Sequence, residues 1–512
     1  MSRLVGIVIS NSTHQVAPFV IIENERVKVN HYYFMKHPLY EKNVLLSVYS
    51  ISPYNPEMVP GRIGILAAKK GIQTGTGKYL ESHIANAEIL GYFDDRKKWR
   101  GLEVPPPVSA EIYEPTEQEL REFFQAAREE KDTLFVDIGR VKGTSIPVLL
   151  DLNVIAKSHI FVAGMTRAGK SSFIVNLTMR ATKIAPRPNI VIFDRRKEYG
   201  SLTKLEGSKL VSYRNFVPLG FKPEVAADRL GLSGSAAKVF IAALSDLNGD
   251  DLTYPMLRSK FHEEAENHVQ RNSDKDKICN RLERIVSSRG KFLFERHEVF
   301  DIINEVSENP TLIIDFSVDS DVEAQHRAAA DIIQKITSHA MGLRGQFAVI
   351  ICVEEAQYFA PEKNFEIASS AAEGQAKARF VEAISQAGGY NVGFVVMTQR
   401  PAYVTKSVVS QCNSVTCFRL KSGNDQEAIL QFTEYGSTKL KDILPGLADH
   451  EALIWGLALQ TPFPVVAEIG VDEYPQKALV SAKQAWLSMT DKHKKRGAAI
   501  QRSEYEESVT LD

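Results

Sequence analysis

The sequence predicts an α/β protein in which a small N-terminal β-barrel precedes a mainly parallel sheet that is interrupted by a helical insertion. Three observations predict it. Short Val-, Ile- and Tyr-rich bursts, separated by Asn, Pro and Gly, occupy residues 4 to about 115, as short antiparallel strands do. From about 134 to 470 apolar strands alternate with helical patterns, the signature of a parallel sheet. Between about 222 and 305 strands are absent, and Ala- and Leu-bearing helical spacing takes their place.

Taken in order, the bursts Val5–Ile9, Phe19–Ile22, Val44–Tyr49 and Ala87–Phe93 are the first strands, and closure into a barrel would remove their open edges. Pro105, Pro106 and Pro107 fit neither a central strand nor a helix and are expected to end this region. A polar helix is expected from Glu117 to Glu130. Buried strands follow at His159–Ala163, Ile190–Phe193, Leu312–Phe316, Phe347–Val353 and Gly393–Met397. The expected division is 1–115 barrel, 116–221 first part of the core, 222–305 helical insertion, 306–470 rest of the core and 471–512 a C-terminal helix and tail. That tail is polar and carries the basic run Lys492–Arg496.

A chain of 512 residues exceeds one ordinary core, and 44% hydrophobic with 24% charged residues is a globular composition. The 62 basic residues nearly cancel the 63 acidic ones, so net charge offers no support for a nucleic-acid partner, and any basic surface must be local. Four cysteines (Cys279, Cys352, Cys412, Cys417) make no disulfide framework, and no His or Cys cluster accompanies Cys412 and Cys417 to suggest a metal site. No apolar run reaches the ~18 residues of a membrane span, and the polar Asn11–His14 follows the start too closely for a signal peptide. A cytoplasmic protein with no membrane partner is expected.

The chemistry begins at Gly164-Met165-Thr166-Arg167-Ala168-Gly169-Lys170-Ser171, which fits G-x-x-x-x-G-K-[ST] between a buried strand and a helical run opening at Ser172. Glycines there let backbone N–H groups face phosphate oxygens, and the helix start adds its positive dipole end. Residues Gly164, Thr166–Ser172 are therefore expected to hold ATP, with Lys170 at the β- and γ-phosphates and Ser171 on Mg²⁺. Glu354 and Glu355 end a buried strand, where ligands bind in open α/β sheets. By position Glu354 is assigned to the metal shell and Glu355 to the base that activates water. Asp194 also ends a strand, expected beside the phosphate-loop strand, and it or Glu198 is a candidate for placing metal or water. Gln399, in Thr398-Gln399-Arg400-Pro401, is a polar amide able to sense a γ-phosphate.

In this order the motifs resemble the HerA family, hexameric translocases of the HerA–FtsK branch of P-loop ATPases. Val5–Val8 and Ala87–Tyr92 resemble its HAS-barrel, and Ile138-Gly139-Arg140 its approach to the P-loop. Asp194–Tyr199 matches its D-x-x-x-E-Y, Val353–Ala356 its D-E-A, and Thr398–Pro401 with Ser410–Asn413 its T-Q-R-P and S-Q-C-N. The resemblance implies a RecA-like core assembled as a ring, with ATP between neighbours and an arginine reaching across to the γ-phosphate. Arg140 matches a family arginine placed for that task. Departures exist: Glu354 replaces the usual Asp, Gln357 the usual His, and Gly388-Gly389 stands where many relatives carry a basic residue. That leaves Arg140, Arg379 or Arg400 to act in trans, and suggests a divergent branch, bacterial or linked to defence.

The resemblance further implies duplex DNA threaded through the ring without base reading, and a nuclease or other effector docked on it, in DNA end processing or anti-phage defence. Loops carrying Lys363, Lys377 and Arg379 are candidates for lining the channel. Two other readings stay open: a translocase for protein or conjugation substrates, and a nucleotide-gated ring scaffold that controls a partner enzyme.

Overall fold

The computed structural model describes residues 2–56, 65, 69–70, 80–126, 133–216, 223–247, 252–294, 299–363, 365, 371–431 and 443–470. The expected C-terminal helix and basic run fall outside these.

The N-terminal strands are β1 (Arg3–Val8), β2 (Val16–Ile21), β3 (Tyr32–His37), β4 (Lys42–Tyr54), β5 (Ser82–Phe93), β6 (Trp99–Arg100) and β7 (Glu111–Glu114). They run β2-β1-β7-β3-β4-β5, and β2 pairs back onto β5, so six antiparallel strands close a barrel with β6 as a short flap on β5. Alternation fills it: Val5, Phe19, Tyr33, Met35, Leu46 and Ile112 are buried in one cluster. The three prolines interrupt the barrel and do not end it. They carry the chain outside the ladder, and it returns through the Ala110–Val8 hydrogen bond to lay β7 between β1 and β3.

Helix α1 (Glu117–Ala126) is the described part of the expected helix, and residues 127–130 of that expectation lie outside the described residues. It opens with a reciprocal cap, Thr116 N donating to Glu119 Oε2 at 2.8 Å and Glu119 N to Thr116 Oγ1 at 3.3 Å. Phe124 on this helix packs edge-on against Tyr32 of the barrel and Phe463 of the core, and Tyr32 donates to the Pro464 carbonyl at 3.1 Å. These contacts tie barrel to core.

The core opens with β8 (Phe135–Val141), β9 (Pro147–Asp151), α2 (Leu152–Ser158), β10 (Ile160–Ala163), α3 (Lys170–Ala181), β11 (Ile190–Asp194) and β12 (Ser208–Ser212). Helices α4 (Pro223–Arg229), α5 (Gly234–Ser245), α6 (Tyr254–His268), α7 (Asn272–Arg289) and α8 (Lys291–Phe294) follow, with a separate core around Phe240, Leu257, Phe261 and Leu282. Then come α9 (Ile302–Glu308), β13 (Thr311–Asp315), α10 (Val322–Gly342), β14 (Val349–Val353), α11 (Ala356–Phe359), α12 (Ala371–Gln386), β15 (Val392–Thr398), β16 (Ser414–Phe418), β17 (Glu451–Gly456) and β18 (Val465–Glu468). The sheet runs β12-β13-β11-β14-β15-β10-β16-β17-β18-β8-β9. It is parallel from β12 to β16 and antiparallel beyond, where β17, β18, β8 and β9 extend it.

This order corrects one expectation. The strand ending in Asp194, β11, does not neighbour the phosphate-loop strand β10; β14 and β15 lie between them. Chain order does not determine strand order when each connection crosses over through a helix.

Among the described residues no helix is long and apolar enough to cross a membrane, and no group of three or more His, Cys, Asp or Glu could hold a metal ion. All four cysteines are buried and unbridged.

Helix α2 packs directly on the backbone of β15. A Cβ added at Gly393 would sit 2.5 Å from the Ile155 carbonyl oxygen and 2.6 Å from Ala156 Cα. Gly393→Ala is expected to cost about 1–3 kcal/mol and lower the melting temperature by several degrees in calorimetry.

Candidate active site

Strand β10 is buried along its length and ends at a loop that only glycine can close. A Cβ at Gly164 would lie 2.5 Å from Phe418 Cβ, and one at Gly169, where φ is 122°, would lie 2.7 Å from Phe418 Cε1. Phe418, at the end of β16, is thus the floor of the loop. Two backbone bonds pin its flanks: Met165 N donates to Arg419 O at 3.0 Å, and His450 N to Ala168 O at 2.9 Å. Thr166 and Arg167 project at the exposed tip, Ala168 and Ser172 are buried, and α3 starts at Lys170 with its free N–H groups toward the loop. The Lys170 ammonium turns back into the loop, donating to Gly164 O at 2.8 Å and Met165 O at 3.0 Å. Burial pushes its pKa down to about 8, against the raising influence of Glu355, Glu198 and Glu354.

The acidic pair belongs to the same place. Glu354 is buried, and its Oε2 accepts from Arg195 N at 3.0 Å. Burial, then the nearby Glu198 and Asp194 charges, push its pKa up to about 8. Glu355 sits in the left-handed region at φ 50°, uncommon outside glycine. Its Oε1 accepts from Arg196 at 2.5 Å and from Gln399 Nε2 at 2.6 Å, and its Oε2 from Gln357 Nε2 at 2.6 Å. Gln357 in turn accepts from Thr398 at 2.7 Å, and Gln399 from Thr166 at 2.6 Å. A chain of contacts, Thr166–Gln399–Glu355–Arg196, therefore bridges the ends of β10, β15, β14 and β11.

Asp194 is placed differently from the expectation. It is buried, and its two oxygens accept from the backbone N–H groups of Arg196, Glu198 and Tyr199, each at 3.1 Å. It shapes the turn, with both oxygens already engaged, and it is Glu198 that meets the Ser171 hydroxyl. Arg196 and Gln357 are the site residues for which sequence reasoning named no role. Their signal was a charged or amide group just past a parallel strand's carboxyl end.

Arg140 lies on β8 and bonds to Asp137 at 2.5 Å. Asp137 also pairs with Arg180 at 3.1 Å, in the last turn of α3. A helix of 12 residues rises about 18 Å, so Arg140 stands near the end of α3 opposite its own phosphate loop. Lys377 and Arg379 are not on loops: both lie on α12, whose Ala- and Glu-rich sequence favours helix, and Arg379 pairs with Glu382 at 2.9 Å. Arg400 is exposed, 5.3 Å over the Tyr403 ring. No side chain fits at position 388, where a Cβ would lie 2.2 Å from the Lys157 carbonyl oxygen.

Residues 136–336 match the family described as "Helicase HerA, central domain". That stretch is a HerA-type ATPase domain. The chain is 19% identical over 93% of its length, and 94% of the relative's, to a DNA double-strand break repair helicase HerA of Sulfurisphaera tokodaii. It is 22% identical to the protein of that name from Saccharolobus solfataricus, over 74% of this chain and 75% of the relative. Among solved structures it is similar to VirB4 of Thermoanaerobacter pseudethanolicus (14% identity, 67% of this chain, 98% of that chain, TM-score 0.41). It is also similar to the bacterial conjugative coupling protein TrwB (13% identity, 72% and 95%, TM-score 0.41).

Lys170→Ala in this HerA-type domain is expected to lower steady-state ATP hydrolysis by about a hundredfold or more. Below pH 8 the ammonium is charged in both folded and unfolded chains, and only the folded one carries the desolvation cost. The melting temperature should therefore hold or rise, which separates lost chemistry from lost fold.

Proposed function

We propose that the chain is one subunit of a ring, expected to be hexameric, that couples hydrolysis of Mg²⁺-bound ATP to movement along duplex DNA without reading its bases. A nuclease or another effector enzyme works on the same DNA, in end processing or in defence. The observation that carries this reading is the separation of Arg140 from its own phosphate loop. An arginine at the far end of α3, with 43% of its side chain exposed, cannot serve its own nucleotide and is available to a neighbour's. A relative that aligns along 93% of this chain is named as a DNA double-strand break repair helicase, which supports DNA as the track.

Within one subunit, Lys170 and the α3 N-terminus hold the β- and γ-phosphates, and Glu355 takes the proton of the attacking water. The donor set fits Mg²⁺. The Ser171 hydroxyl, Glu198 and Glu354 are hard oxygen donors, and the charges of Glu198 and Asp194 lie close enough to Glu354 to disfavour its ionised form. A divalent cation relieves that repulsion. Ser171 would hold it directly, with Glu198 and Glu354 beside it, and it would neutralise charge on the phosphates. Arg140 from the neighbour stabilises the charge of the transition state.

For DNA, two loops after β14 and β15 supply a cationic aromatic surface. Phe365 is exposed and stacks on Tyr403 at 3.9 Å, Arg400 lies over Tyr403, and Lys363 and Lys406 are exposed nearby in sequence. The loops are held together by Glu362 N donating to Tyr403 O at 2.8 Å and Thr405 N to Ala360 O at 2.9 Å. Such a surface meets phosphates and sugars and lets go without sequence preference, as a translocating motor requires.

Duplex DNA is expected to raise steady-state ATP turnover several-fold, with stimulation falling steeply as salt rises. Absence of stimulation by any DNA, with rings seen by electron microscopy, would favour a scaffold or a different cargo. Arg140→Ala is expected to lower turnover by about 10³-fold or more when the arginine acts in trans. Mixing it equally with Lys170→Ala should restore activity, because about a quarter of the shared sites then contain both intact residues. No recovery, with mixed rings verified by sizing, would remove Arg140 from that role.

A further inference from the structure

Two arginines follow Asp194, and the fold sends them in opposite directions. Arg195 lays its guanidinium on the Tyr358 ring, 3.3 Å from the centroid, and donates to Gln325 Oε1 at 2.7 Å. It is committed to packing behind the site. Arg196 keeps 41% of its side chain exposed and bonds to Glu355 Oε1 at 2.5 Å.

That ion pair is at odds with base catalysis. A carboxylate offers about four acceptor positions. Arg196 and Gln399 fill two on Oε1, and Gln357 fills one on Oε2. With a guanidinium and two amides in direct contact, the carboxylate has little of its surface open to a water. Gln399 is already tied to Thr166 at the tip of the phosphate loop, which brings the arrangement within reach of a bound nucleotide. Glu355 and Arg196 are the two strongest charges acting on the Lys170 ammonium, so Arg196 stands at the rim of the same cradle. A terminal phosphate entering that cradle carries more charge than a carboxylate and offers a guanidinium a bidentate partner.

We propose that Arg196 is a γ-phosphate-specific cation that exchanges Glu355 for the terminal phosphate of ATP and so frees the base only when a triphosphate is present. The proposal rests on reading Glu355 as the base. ADP, with no γ-phosphate, leaves the Arg196–Glu355 pair intact. After hydrolysis and phosphate release the pair re-forms, and the empty or ADP-bound subunit has no free base with which to turn water over idly. Arg196 thereby determines the preference for triphosphate over diphosphate.

The test is equilibrium binding of ADP and of a non-hydrolysable ATP analogue to the full-length protein. Arg196→Ala is expected to weaken the analogue about tenfold or more while ADP affinity stays within about twofold, which also reports an intact fold. Glu355→Gln relieves Arg196 of its partner, so it should tighten the analogue several-fold and leave ADP unchanged. The double variant should lose that gain. Equal weakening of both nucleotides by Arg196→Ala, no change in either, or no tightening by Glu355→Gln would overturn the exchange. Hydrolysis by Glu355→Gln reports separately on the base, so failure of one reading is distinguishable from failure of the other.

Discussion

The catalytic geometry depends on one carboxylate, Glu355, being held where four strand ends meet. Its strand, β14, is not adjacent to the phosphate-loop strand β10, because β15 lies between them. What spans the gap is Gln399 at the end of β15, which donates to Glu355 and accepts from Thr166. The parallel ladder makes this possible. Ala163 pairs with Thr398, and Val353 with Val396 and Phe193, so the polar residues that follow these strands emerge at one carboxyl edge. The left-handed backbone at Glu355 turns its side chain along that edge, and helix α11 begins directly after it.

Much of this was legible in the sequence, and the physical reason is locality. A glycine loop that cradles phosphate needs Gly164, Gly169, Lys170 and Ser171 at fixed short spacing, and acidic strand ends announce themselves as a carboxylate after an apolar run. The five strands read from apolar runs all exist, because buried parallel strands are hydrophobic on both faces. What was not legible is what depends on order in space. Asp194 was expected beside the phosphate-loop strand, yet two strands lie between them, and its carboxylate accepts from its own turn's backbone. Lys377 and Arg379 read as loop residues because charge alone does not distinguish a solvated helix face from a loop. Strands β16, β17 and β18 carry Ser, Thr, Cys or Glu that dilute the apolar signal.

One departure from the family pattern, the glycine at position 388, has a local cause. At position 388 the carbonyl of Lys157 at the end of α2 occupies the place of a Cβ, whereas position 389 is open and its glycine has no steric explanation. The same helix presses on Gly393 in the next strand, so α2 sets the close packing on this side of the sheet. Of the arginines left as candidates to act in trans, Arg140 lies on β8. There Asp137 braces Arg140 against Arg180, a positioned but partly exposed guanidinium. The barrel is fastened to the same antiparallel extension through Tyr32, Phe124 and Phe463, which links the arginine's strand to the N-terminal unit.

The central claim is that Glu355, and not the more deeply buried Glu354, receives the proton in hydrolysis. The most direct measurement is single-turnover cleavage of ATP by Glu355→Gln, set beside Glu354→Gln, with nucleotide binding measured on the same preparations. The account predicts that Glu355→Gln binds ATP at least as tightly as the parent chain and cleaves it about 10²–10⁴-fold more slowly. Cleavage by Glu355→Gln at close to the parent rate would contradict it.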